Sequence, residues 1–129
     1  MTHLVDSDVL IAYLLGYARA ISVLAPFPRT ALAISVMTYA EVYEGIYLGR
    51  DVLGAARRFR AFTRNVSILN VGPKVTREYA RLSGELRRQG QLLFPPDLLI
   101  AATALTYNLT LVTYNRRHFT RVPGLTIAL

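Results

Sequence analysis

Five short apolar runs, separated for the most part by longer helical patterns, constrain the fold of this chain more than any other feature. The runs are His3 to Val5, Ala31 to Val36, Val66 to Val71, Leu109 to Thr113 and Leu125 to Leu129. Helix-forming segments lie at Val9 to Ala25, Met37 to Leu48, Asp51 to Arg64, Pro73 to Arg88 and Leu98 to Tyr107. Breaks fall near Gly16, Pro26, Gly49, Gly72, Gly90 and Pro95-Pro96. Parallel strands cannot be joined by tight hairpins and need a crossover, usually helical, between them. The alternation therefore predicts an α/β fold of three α/β/α layers around a mainly parallel sheet of about five strands. With 129 residues, no internal repeat and no long linker, one domain spanning 1–129 is expected.

Hydrophobic residues make up 53% of the chain and charged residues 18%, which argues against disorder and leaves spare apolar surface for a protein partner. No apolar run reaches spanning length cleanly, and the N-terminus lacks the basic region and cleavage site of a secretory signal. With no cysteine there is no disulfide framework, so the cytoplasm is the expected compartment. The net charge of +7 comes from 14 arginines and the single Lys74 against eight acids. Arginine suits bidentate phosphate recognition, and the excess favours a polyanion such as nucleic acid or an acidic protein. Codon usage explains the arginine bias equally well.

Three of the eight acids share a peculiar placement. Asp6 ends the first apolar run, Glu41 lies in the first turn after the second, and Asp97 opens the helix leading to the fourth. In a parallel sheet with right-handed crossovers, such positions collect on the edge where open α/β sheets bind ligands. Each acid also has a local reading. Thr38 and Glu41 have capping-box spacing, Asp97 after Pro95-Pro96 suits an N-cap, and Ser7 or Asp8 could cap the first helix. Asp6 has no obvious cap to make. Two carboxylates about 4 Å apart repel by roughly 4 kcal/mol at an effective dielectric of 20, so convergent acids need protons or a cation. Oxygen-only ligands point to Mg²⁺ or Mn²⁺, whereas zinc is disfavoured by the lack of cysteine and by histidines only at His3 and His118.

Four segments together resemble the PIN-domain family of ribonucleases. Leu4-Val5-Asp6-Ser7-Asp8-Val9-Leu10-Ile11 is similar to its opening motif, and Ala40-Glu41, with Gly45 four residues after the Glu, to its second. Asp97-Leu98-Leu99-Ile100-Ala101-Ala102-Thr103-Ala104 matches the most specific motif. Leu111-Val112-Thr113-Tyr114-Asn115-Arg116-Arg117-His118-Phe119 resembles the closing one. The order and overall size are those of VapC-type toxins. The resemblance implies Mg²⁺- or Mn²⁺-dependent hydrolysis of RNA, with Asp6, Glu41 and Asp97 at the metal, Asn115 as the fourth catalytic position, and Ser7 and Thr113 as supporting hydroxyls. It also implies a homodimer and a cognate antitoxin protein. Asn115 stands where many members have Asp, and His118 replaces an acid often found before the Phe, which puts a second metal site in doubt. Asp8 reads first as a helix-start residue and second as a source of the missing charge. Arg116, Arg117 and Arg121 are candidates for gripping RNA phosphates, or else form a solvated loop.

Two other readings stand beside this one. Asp6-Ser7-Asp8 also resembles the nucleophile motif of haloacid-dehalogenase phosphatases, but that chemistry needs a placed lysine and a further acidic pair, and neither follows Asp97. A non-catalytic RNA-binding or scaffolding member of the same fold is the rival from another class. The tyrosines Tyr13, Tyr17, Tyr39, Tyr43 and Tyr47 read first as core or interface, and the acids and arginines of the segment Pro73 to Arg88 as helix-surface ion pairs.

Overall fold

The computed structural model describes residues 1–129. In chain order it runs β1 (His3–Val5), α1 (Ser7–Leu14), α2 (Ala18–Leu24), a 3-10 turn (Arg29–Ala31), β2 (Leu32–Ser35), α3 (Val36–Leu48) and α4 (Val52–Thr63). It continues through β3 (Ser67–Leu69), α5 (Pro73–Arg88), α6 (Pro95–Thr106), β4 (Thr110–Val112) and α7 (Arg116–Phe119) to β5 (Ile127–Ala128). All five expected strands form, each inside its apolar run, and every pairing is parallel.

The sheet order is β3-β2-β1-β4-β5. The chain first steps outward from β1 to β3, then returns to the far side of β1. With right-handed crossovers that reversal puts α1 to α4 on one face and α5 and α6 on the other. Side chains on a strand alternate between faces, and the core divides accordingly. Leu4, Ala33 and Leu111 pack with Leu82, Leu86, Leu98 and Ile100. Val5, Ile34 and Val112 pack with Val9, Leu10, Val42 and Phe59. The register pairs Leu4 with both Ala33 and Leu111, so β1 is buried on both edges and both faces. The end of β1, beside β4, is the point where the strand order reverses, the usual ligand position in such sheets.

Local signals explain most element ends. Gly16 adopts φ +83°, a left-handed conformation that glycine takes at little cost, and it splits the expected Val9 to Ala25 helix into α1 and α2, bent by 115°. No single helix is long and apolar enough to cross a membrane. Pro95 and Pro96 occupy the first turn of α6, where their missing N–H groups would be unpaired anyway. Ile100 to Ala104 are all buried, so α6 is a core helix apolar all round. The expected surface pairs on α5 form, with Arg81 at 2.5 Å from Glu78 and 3.2 Å from Glu85.

Four cap readings are corrected, the last being that Asp6 has no cap to make. The expected Thr38–Glu41 capping box does not form; Ser35 caps α3, its Oγ accepting from the Thr38 amide at 3.1 Å, because the helix starts one residue earlier than expected. Asp97 is not an N-cap either, since Phe94 holds that position and Asp97 sits in the first turn. Neither Ser7 nor Asp8 caps α1. Asp6 does, with Oδ1 accepting from the Ser7 amide at 2.8 Å.

Candidate active site

Four junctions meet at the strand-end edge: β1 to α1, β2 to α3, the start of α6, and β4 to α7. Asp6 is anchored first, by its position. Its amide donates to the Val112 carbonyl at 2.9 Å, continuing the β1–β4 ladder one residue past the strand, and it is 5% exposed. The side chain is then held at both oxygens, Oδ1 by the Ser7 amide and Oδ2 by Thr113 Oγ1 at 2.7 Å.

The two hydroxyls join separate parts of the site. Thr113 is fully buried, and its Oγ1 also accepts from the Asn115 amide at 3.0 Å. Ser7 Oγ donates within a cluster that places Glu41 Oε1 at 2.8 Å and Thr38 Oγ1 at 3.1 Å. Glu41 is thus tied to the Asp6 loop through Ser7. Asn115 is tied to Asp6 through Thr113, while its side-chain amide lies 2.9 Å from His118 Nδ1.

Asp8 turns into the same edge. Its Oδ1 accepts from its neighbour's amide, Val9, at 2.7 Å, and its Oδ2 from the Tyr114 amide at 3.1 Å. Burial and the nearby Asp8 and Asp97 charges push the Asp6 carboxyl up to about 7, against the pull of its hydrogen bonds to Thr113 and Ser7. Burial, joined by the Asp97 charge, raises Asp8 as well. Asp97 is raised by burial and opposed by His118. Protons or a cation relieve this repulsion, and the chain places no lysine or arginine there. Its ion pairs are Arg58 with Asp51 and Arg81 with Glu78 and Glu85; no lysine or arginine lies within 4.0 Å of Asp6, Asp8, Glu41 or Asp97.

The match to known proteins agrees with this geometry. A family model described as PIN domain matches residues 3–125. The chain belongs to the PIN-domain family. Among curated relatives of this PIN domain, ribonuclease VapC10 of Mycobacterium tuberculosis is 38% identical over 121 residues, covering 90% of this chain and 84% of that protein. Ribonuclease VapC1 of Haemophilus influenzae is 27% identical over 127 residues, 97% of this chain and 95% of that one. The chain is therefore a VapC-type member. A solved VapBC2 structure from Rickettsia felis, bound to a DNA fragment from its promoter, superposes with a TM-score of 0.84 at 26% identity over 99% of this chain and 98% of that one.

The structure brings together Asp6, Ser7, Glu41, Thr113 and Asn115 through hydrogen bonds; Asp97 makes no hydrogen bond to them and adds only its charge to the repulsion on Asp6 and Asp8. Asp8 was the residue most undervalued by sequence reasoning. A helix-start acid two positions after Asp6 has no sequence signal separating a surface role from an inward one; the Tyr114 amide, 106 residues away, decides it. Arg116, Arg117 and Arg121 are exposed on and just after α7. They touch none of the four acids; Arg116 reaches the Leu129 carbonyl at 3.4 Å and Arg121 that of Leu92 at 3.5 Å. His3 lies at the opposite end of β1, stacked on Phe27 with ring centroids 4.2 Å apart, and is no part of the site.

The donor chemistry fits a hard divalent ion: carboxylate oxygens, partly desolvated and without a lysine or arginine partner. No three of the acids and histidines stand close enough together to hold an ion as they are placed here.

Proposed function

We propose that this PIN domain is a divalent-metal-dependent endoribonuclease that acts as a toxin, held in check by a cognate antitoxin. The observation that carries the reading is the group of Asp6, Asp8 and Asp97, left without a lysine or arginine partner in a chain of net charge +7. A structural cluster of acids is ordinarily neutralised by nearby arginines, and 14 were available. Relatives named ribonuclease over nearly the full length support the reaction class.

Asp6, Asp97 and Glu41 would hold Mg²⁺ or Mn²⁺, with Asp8 contributing its charge. When bound there, such an ion lowers the pKa of a water molecule and offsets charge that develops on the phosphoryl oxygens. Thr113 and the Ser7 amide fix both oxygens of Asp6, so the carboxylate keeps its orientation as substrate arrives. Ser7 holds Glu41 at the rim, where a carboxylate can orient a water for in-line attack. Asn115, beside Thr113 and His118, presents a neutral amide that can contact that water or a phosphate oxygen without adding charge. Arg116, Arg117 and Arg121 would position the phosphates flanking the scissile bond.

The toxin role draws support from the VapBC2 structure and from a toxin-antitoxin complex among the similar structures. It also draws on an apolar groove of about 360 Å³ between α1, α3 and α4, lined by Ile11, Leu14, Leu15, Val42 and Ile46. An antitoxin segment laid in that groove would bury side chains that are otherwise wet, Leu15 being 63% exposed. A homodimer in the cytoplasm completes the proposal.

The test is cleavage of labelled single-stranded RNA by the purified chain in Mg²⁺, Mn²⁺ or EDTA, alongside expression of the chain alone in a bacterial host. Metal-dependent cleavage with growth arrest, relieved by the product of an adjacent small gene, is expected. Cleavage that persists in EDTA refutes the metal chemistry, and harmless overexpression of an active nuclease refutes the toxin role.

A further inference from the structure

Phe94 is a large, exposed aromatic side chain at the start of the helix that carries Asp97, and the chemistry above does not use it. It is 67% exposed, yet its backbone is fixed on both sides. Leu93 before it is buried at 4% exposure, and Pro95 and Pro96 after it form the first turn of α6. Phe94 is the cap residue of that helix, with φ −56° and ψ 131°, and its carbonyl accepts from the Leu98 amide at 3.0 Å. An exposed phenyl ring on so constrained a backbone is costly to wet and loses little entropy on binding. It precedes Asp97 by three residues, so the two share the N-terminal end of α6. The neighbouring backbone is tied to the β4 side of the site, because Arg121 donates to the Leu92 carbonyl at 3.5 Å.

We infer that Phe94 is a base-stacking platform that receives an unpaired nucleobase of single-stranded RNA next to the scissile phosphate, with Arg121 and the α7 arginines holding the adjoining backbone. The inference rests on the ribonuclease reading. The occupant follows from the company Phe94 keeps. Arg116, Arg117 and Arg121 are exposed and pair with no carboxylate, so this side of the site is cationic where the other is acidic. Planar aromatic surface beside unpaired guanidinium groups is the combination that binds single strands, the ring taking the base and the cations the phosphates. A protein partner would be met better by the groove between α1, α3 and α4, whose aliphatic lining is continuous and whose Arg58 is already paired with Asp51.

The chain contains no tryptophan, so Phe94→Trp creates a unique reporter at the platform. It is made in an Asp6→Asn background so that RNA survives, and titrated with a labelled single strand of about 12 nucleotides, within the range that single-strand-binding folds cover. Expected is saturable quenching of the tryptophan that tracks the anisotropy of the labelled RNA. Phe94→Ala in the same background should weaken binding about 5- to 100-fold, and Phe94→Tyr should restore it. Bound RNA with unchanged fluorescence, or equal affinity for Phe94→Ala, overturns the inference alone and leaves the ring to a protein partner. Failure of the Asp6→Asn protein with native Phe94 to bind RNA overturns the ribonuclease reading together with it.

Discussion

Thr113 Oγ1 lies 2.7 Å from Asp6 Oδ2, joining two residues 107 positions apart in sequence across the centre of the sheet. The contact exists because β1 and β4 are parallel neighbours in register, Val5 opposite Val112, so the residues that follow each strand emerge side by side. It stabilises the ionised form of a carboxylate that burial and two other acids work to protonate.

Removing that hydroxyl should therefore weaken metal binding without contact to the metal. Thr113→Val keeps the shape of a fully buried side chain but leaves Asp6 with one fewer donor and the Asn115 amide unpaired. Mn²⁺ affinity and cleavage are expected to fall about 10- to 100-fold, as for other groups that orient metal ligands. Calorimetric titration checks it, and an unchanged affinity would show that Thr113 does not act through Asp6.

The stability of the metal-free protein should fall with rising pH. Asp6 titrates near 3.8 when unfolded and at about 7 when folded, so between these values the folded chain holds the extra proton. Stability is greatest below the unfolded value and is lost as pH rises through about 7, with a slope of up to about 1.4 kcal/mol per pH unit. Melting in EDTA at pH 5 and pH 8 measures this. Asp6→Asn should flatten the dependence, and Mn²⁺ should raise the melting temperature mainly at the higher pH.

Much of this site is legible in the sequence, and what is missed has a common cause. Asp6, Asp97 and Thr113 each end or open an element whose type the apolar pattern announces, so topology alone brings them together. Asp8 and the cap of α3 depend on which way a side chain turns at a helix start, and that is decided by backbone groups distant in sequence or by a one-residue shift of the boundary. The four-residue α7 is too short to carry any periodicity. Gly16 marked a break correctly, yet only its φ of +83° gives the direction of the chain beyond it.

That glycine provides a separate check on the backbone. A Cβ at residue 16 would meet nothing within 4 Å, so only the left-handed conformation penalises a side chain there. Gly16→Ala should destabilise the fold by about 1 kcal/mol. A chemical denaturation midpoint equal to that of the parent would mean that α1 and α2 are not joined by this turn.

Asp8→Asn and Asn115→Asp should shift metal affinity in opposite directions. Asp8→Asn removes one of the carboxylates whose repulsion raises Asp6 and should weaken Mn²⁺ binding, while Asn115→Asp adds the charge absent from the fourth position and should tighten it. One tightly bound ion per chain is expected in the unaltered protein, since Asn115 brings no charge for a second. Two strong sites, or indifference to Asn115→Asp, would remove Asn115 from the metal centre.

The most direct measurement compares cleavage of single-stranded RNA by the parent and by Asp97→Asn at saturating Mg²⁺, with circular dichroism and melting recorded on both. Relief of repulsion should leave the variant folded and at least as stable as the parent, because burial alone already holds the Asp97 carboxyl above its ordinary range. Cleavage abolished in a folded Asp97→Asn protein is the predicted result; cleavage at the parental rate would contradict the assignment of this acidic cluster as the catalytic metal site.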